Sequence, residues 1–121
     1  MAAITGTTMA ALFLERRGYE VLATSWTCEA GTVDVVARAP EGEIVFAEAA
    51  LSEDRAAGFP AERLDDAARA RMEALSAAWL AGHDCGDRRV RFDVVSVLVL
   101  DARAGRAYVR HHIDALGGSW R

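Results

Sequence analysis

The string Thr32-Val33-Asp34-Val35-Val36-Ala37-Arg38-Ala39, the turn Pro40-Glu41-Gly42 and the string Glu43-Ile44-Val45-Phe46-Ala47-Glu48-Ala49-Ala50-Leu51 decide how this chain is read. The first string is β-branched and aliphatic, Pro and Gly punctuate it, and the second answers it with a similar run, which predicts a β-hairpin. Residues two apart on a strand share a face. Asp34 therefore points with Thr32 and Val36, and Glu48 with Phe46 and Ala50. A carboxylate within an apolar strand calls for a sheet edge, an arginine or a metal ion to accommodate its charge.

Upstream, Gly6-Thr7-Thr8 ahead of Met9 opens like a helix, with Thr7 or Thr8 capping the free amides and Gly18 supplying a left-handed stop. Ala10, Phe13, Leu14 and Arg17 follow one side of it. Residues 19–26 alternate like a strand, and residues 29–31 read as a turn. Downstream of the hairpin, residues 52–59 form a loop and Pro60 introduces the longest helix, residues 61–81. Its apolar stripe is Leu64, Ala68, Met72, Leu75 and Trp79, opposite Glu62, Asp65, Asp66, Arg69 and Glu73, with Gly82 as the stop. Residues 89–100 form a strand whose apolar end predicts burial on both faces, and residues 106–113 a last short strand. The expectation is an α/β fold, order αβββαββ, built as a single domain over residues 1–121.

Composition sets limits on function. A chain of 121 residues that is 52% hydrophobic can bury a core, which excludes a disordered segment. Net charge is −4, from 18 acidic and 14 basic residues, and opposes indiscriminate attraction to phosphate backbones. Every basic residue is Arg, so no mechanism here uses a lysine ammonium. Cys28 and Cys85 form no CxxC pair and read as reduced thiols. The start of the chain has no basic leader, and no window approaches the ~18 apolar residues of a membrane span. A cytoplasmic protein is expected.

Several strings, taken in order, resemble the bacterial YraN-like family over nearly the whole chain. They are Leu14-Glu15-Arg16-Arg17-Gly18-Tyr19, Ser25-Trp26-Thr27-Cys28-Glu29-Ala30-Gly31 leading into Thr32-Val33-Asp34-Val35, and Phe46-Ala47-Glu48. Trp79-Leu80, Arg91-Phe92-Asp93-Val94 and His112-Ile113-Asp114-Ala115 complete the set. The resemblance implies a restriction-endonuclease-like fold, a mixed central sheet flanked by helices, with a nuclease site on the hairpin. It assigns Asp34 and Glu48 to Mg²⁺ or Mn²⁺, with the carbonyl of Ala49 as a further ligand. It expects a lysine two residues beyond the Glu and a Glu near the start of the first helix. Ala50 and Thr7 stand at those two positions, and Thr32 stands where a further Glu is expected. The stretch Ser52-Glu53-Asp54-Arg55 is acidic where the family is basic.

Phosphodiester hydrolysis needs an activated water and neutralisation of charge on phosphate, both of which a divalent ion supplies. Losing an acid–base or electrostatic group costs on the order of 10²–10⁴ in rate. The remnant pair Asp34 and Glu48 would hold an ion only weakly, so the expectation is a degenerate nuclease-like protein, a binding module for nucleic acid or protein and not an efficient enzyme. Two alternatives stay open. One is an active Mg²⁺- or Mn²⁺-dependent nuclease in which Arg55 or Arg38 replaces the lysine. The other is a protein–protein interaction module with no nucleic-acid role. Arg16, Arg17, Arg55, Arg88 and Arg89, with Arg91 beside them, are the candidate contacts to DNA or RNA. Whether the chain forms a homo-oligomer is left open.

Other chemistry-bearing residues read as structural. His111 and His112 are adjacent on a strand and face opposite sides, so they cannot easily share one ion. His83 and Cys85 lack a second pair for zinc. Asp93, between Phe92 and Val94, is expected to pair with an arginine, and Trp26 and Trp79 to lie in or at the edge of the core.

Overall fold

A computed structural model describes residues 5–52, 66–83, 86, 88–101 and 103–115. Its elements are α1 (Gly6–Arg16), β1 (Glu20–Cys28), β2 (Gly31–Arg38), β3 (Ile44–Ser52), α2 (Asp66–Gly82), β4 (Val90–Asp101) and β5 (Arg106–His112). This is the expected order αβββαββ, with boundaries moved by a residue or two. The expected start of α2, residues 61–65 with Glu62, Leu64 and Asp65, lies outside the described residues, as does the expected loop at residues 53–59.

Local chemistry starts and stops α1. Thr5 is the N-cap, and its hydroxyl accepts from the Thr8 amide at 3.1 Å. This corrects the expected cap at Thr7 or Thr8: both lie inside the first turn, where their own amides are among those needing an acceptor. At the other end Gly18, at φ +89°, donates to the Glu15 carbonyl, and Tyr19 donates to the Leu14 carbonyl, both at 3.0 Å. That is a Schellman closure, which needs the left-handed conformation glycine adopts without steric cost. In the hairpin turn Gly42, at φ +102°, donates to Ala39, and Ala39 donates to Glu43, each at 2.8 Å.

The five strands form one mixed sheet in the order β1-β2-β3-β4-β5. All neighbours are antiparallel except β3 and β4, which run parallel and are joined through α2. Each face has its own core. On one, Ala10 and Leu14 of α1 pack with Val35, Ala37, Val45, Ala47, Val95 and Val97. On the other, Met72, Leu75 and Trp79 of α2 pack with Val33, Val36, Ile44, Phe46, Val90 and Phe92. The first nine residues of β4 are buried, so the burial expected at its apolar end extends back through Arg91 and Asp93, while Val99 and Leu100 at that end are only half-buried. Trp26 meets Trp79 edge to face at 5.4 Å between ring centres, at the rim of the second core. Among the described residues no helix is long and apolar enough to cross a membrane.

Candidate functional site

The β2–β3 ladder runs from Arg38–Ile44 to Val35–Ala47, whereas the β3–β4 ladder continues to Ser52–Leu98. Glu48 lies on the α2 side of the sheet with Phe46, one residue past the last β2–β3 pair, and Asp34 precedes that pair on β2. Both carboxylates of the hairpin are half-buried and lie where the strands cease to pair. The Ala49 amide donates to Asp34 Oδ2 at 2.7 Å, so Asp34 satisfies a backbone donor at that parting.

Glu48 has a partner that the sequence reading did not nominate. Arg71 of α2 donates from Nη2 to Glu48 Oε1 at 2.5 Å. The arginine stem lies over Gly31, where a Cβ would stand 3.4 Å from Arg71 Cδ. Gly31 also adopts φ +130°, a conformation that side chains rarely take. One signal in the sequence did point to Arg71. It sits three residues after Ala68 and four before Leu75, within the arc of the apolar stripe. A guanidinium held against a sheet needs an anion opposite it.

The remaining nominated positions fall around this pair. Ala50 lies on the Glu48 side of β3 and contributes only a methyl group. Gly6 packs against Leu51 and Ala49, so the start of α1 reaches the carboxylate end of the sheet, with half-buried Thr7 next in the chain. Arg38, a candidate substitute for the lysine, is instead paired with Glu20 at 2.7 Å across the β1–β2 ladder. That is four residues from Asp34, about 13 Å along the strand. Arg55, the other candidate, lies outside the described residues, as does Cys85.

Asp34 and Glu48 do not fit a divalent ion unless Arg71 leaves Glu48, because a guanidinium at hydrogen-bond distance already neutralises that carboxylate and would repel a second cation. Among the described residues no three His, Cys, Asp or Glu side chains converge as a metal-ligand group.

The candidate phosphate-binding arginines lie at the other end of the sheet. Arg88 reaches over the hairpin turn, where a Cβ on Gly42 would meet its Nη1 at 2.6 Å, and Arg89 precedes β4 with its carbonyl bonded to the Ile44 amide. Arg16 and Arg17 end α1 next to Gly18, which packs on Pro40. Arg17 also lies over the Phe13 ring, 4.6 Å from its centre. All four are exposed. Arg91 differs from them. It faces α1 and is buried, so it cannot belong to a surface cluster.

Arg91 instead anchors a polar network. It donates to both oxygens of Asp93 at 2.9 Å, to Glu43 at 3.1 Å and to the Tyr19 hydroxyl at 2.7 Å. His111 Nε2 lies 2.7 Å from Asp93 Oδ2, and the Asp114 amide donates to Oδ1. Burial pushes the Asp93 carboxyl up, but its bonds from His111, Arg91 and the Asp114 amide, with the charge of Arg91, hold it below the usual carboxylate range. Burial likewise opposes the charge on Arg91, yet Asp93 and Tyr19 leave it more firmly protonated than usual. The expected arginine partner of Asp93 is thus its neighbour two residues away. His111 turns toward Phe13 and Tyr19, on the side opposite the Glu48 row that continues to His112. His83 stacks on Trp79 at 3.5 Å and bonds its carbonyl. A shallow cleft of about 220 Å³, lined by Tyr19, Pro40, Glu43 and Arg91 among others, opens at the hairpin-turn end and not at Asp34 and Glu48.

Comparison with known proteins follows these features along the chain. A family model described as "Uncharacterised protein family UPF0102" matches residues 6–97, which include both helices, the hairpin and most of β4. A UPF0102 protein of Roseiflexus castenholzii is 47% identical over 107 residues, covering 88% of this chain and 85% of its own. One from Beutenbergia cavernae is 43% identical over 107 residues, covering 88% and 87%. One from Pelobacter propionicus is 32% identical over 111 residues, covering 91% and 78%.

Proposed function

The chain belongs to the uncharacterised protein family UPF0102, the YraN family its strings resemble, and from that premise we propose that it is a nuclease-like protein impaired in catalysis that works by binding nucleic acid. The observation that carries this reading is the Arg71–Glu48 ion pair. In a working metal-dependent phosphodiesterase the two carboxylates hold the ion that activates water and offsets phosphate charge. Here a protein cation sits on one of them, and Ala50 brings no ammonium to the other task. One of the two carboxylates is neutralised from within the protein and the other accepts a backbone amide, which favours a stable surface over a reactive one.

The test is an incubation of the purified protein with single-stranded, duplex and branched DNA and with RNA, in Mg²⁺ and then Mn²⁺, with EDTA and Asp34→Ala as controls. We expect no cleavage. The triple variant Thr7→Glu, Ala50→Lys, Arg71→Gln is expected to gain cleavage that EDTA abolishes. Wild-type cleavage lost in both controls would sink the reading. It would favour the second one, in which Arg71 swings off Glu48 to clamp a phosphate and the protein is an active nuclease. That reading draws on the same side chain, since a guanidinium binds phosphate well but transfers protons poorly near neutrality.

A further inference from the structure

The carboxylate face of the sheet continues past Glu48. Strand register links Glu48 to Val94 and then His112, Ala50 to Ser96 and then Arg110, and Ser52 to Leu98 and then Tyr108. Residues paired in this way point to one side of the sheet, so Tyr108, Arg110 and His112 share the face of Glu48 and Ala50. The described part of α2 covers that face mainly over the Ile44, Phe46, Val90 and Phe92 end. On β5 the residues alternate. Ala107 and Val109 turn to the α1 core, whereas Arg106, Tyr108 and Arg110 are exposed, with Tyr108 60% accessible.

We propose that the Arg106–Tyr108–Arg110 stripe of β5, extended by Arg103 in the turn before it, is a docking surface for single-stranded nucleic acid, with Tyr108 stacking on a base and the arginines holding the flanking phosphates. The proposal rests on the nucleic-acid-binding reading above and gives it a place and a substrate class.

Charge is the first argument. The chain carries net −4, yet β5 contains no acidic residue and presents arginines on both sides of one exposed ring. Asp101, opposite Arg106 in the register, uses its Oδ1 to accept from the Arg103 and Ala104 amides at 3.1 and 3.2 Å. Spacing is the second. Four residues of strand separate Arg106 from Arg110, about 13 Å, with the ring midway between them. A strand of nucleic acid lying along β5 would bring phosphates two nucleotides apart to the two guanidiniums while a base between them meets the ring. The third argument is the ring itself. A π-face is of use only to a base that is out of its stack, which selects single strands over duplex. The arginines nominated from sequence lie at the hairpin-turn end, so they are a separate surface against which this one is tested.

The experiment is fluorescence anisotropy with labelled single strands of DNA and of RNA, about a dozen nucleotides long, and a matched duplex, at low and then rising salt. Single strands are expected to bind more tightly than the duplex. Tyr108→Ala should weaken binding about tenfold and Tyr108→Phe should restore it, since stacking needs the ring and not the hydroxyl. Arg106→Ala with Arg110→Ala should weaken binding and reduce the salt slope by about one for each phosphate no longer neutralised. A melting temperature within the wild-type range checks that each variant is folded. No binding to any strand overturns this proposal together with the nucleic-acid reading. Binding that ignores the stripe variants but falls in Arg16→Ala, Arg17→Ala or Arg88→Ala, Arg89→Ala overturns this proposal alone. Capture of an acidic peptide in place of oligonucleotide, or pairing of two copies through β5 on a sizing column with no oligonucleotide binding, also overturns it.

Discussion

Asp93 has no exposed surface, and each of its oxygens receives bonds from Arg91 and from a second donor. A buried charge so completely satisfied is costly to disturb on one side only. Arg91→Met and Asp93→Leu, each alone, should destabilise the protein by about 3–5 kcal/mol, because each leaves a buried charge with only part of its partners, Glu43 for Arg91 or His111 and the Asp114 amide for Asp93. The double variant is expected to lie closer to wild type in urea unfolding. The pH dependence has a definite sign. The folded carboxyl titrates below its unfolded value, so its contribution is present above the unfolded value and is lost as pH falls through the lowered folded one. Acid titration of stability should therefore be steeper for wild type than for Asp93→Leu in that window. That Asp93 would find an arginine was legible in the chain, since an acid between Phe92 and Val94 needs one. The convergence of Tyr19, Glu43 and His111 was not legible, because those residues come from β5 and from the approaches to β1 and β3. Arg71 follows the same logic: its place in an apolar stripe signalled a need for an anion, and only the helix-on-sheet packing made Glu48 that anion.

At the level of elements, strands and helices were nearly all readable, since alternation, 3–4 spacing and turn residues are local properties. The miss was small and physical. Three threonines stand at positions 5, 7 and 8, and the choice among them as cap turned on one more residue of helix at the start. Thr5→Ala should cost about 1 kcal/mol in thermal or chemical unfolding, whereas Thr7→Ala, in the first turn, should change stability little. The reverse ranking would restore the cap expected from sequence. The hairpin itself formed as expected up to its last paired residues. Beyond Val35–Ala47 the strands part, and the carboxylate of Asp34 takes the Ala49 amide, a detail that residue alternation does not contain.

Across the whole molecule, the parallel pairing of β3 with β4 joins the N-terminal three-strand meander to the C-terminal hairpin. Phe46 and Phe92 lie opposite each other in that register, ring centres 6.1 Å apart, both almost wholly buried. Phe46→Ala should cost about 3–5 kcal/mol, read as a lowered midpoint in urea, because a ring is removed from a site bounded by α2 and two strands. A cost of only a few tenths would mean that this joint collapses around the gap. The chain by itself determined which residues are strand or helix, the α/β order, the turns, and the two carboxylates of the hairpin, because each follows from short-range spacing and backbone preference. Only the tertiary structure decided that a helix arginine neutralises Glu48, that Arg91 is buried, and that β5 extends the carboxylate face with an arginine–tyrosine stripe. Those outcomes depend on sheet register and helix placement, which are set by packing between residues far apart in the chain.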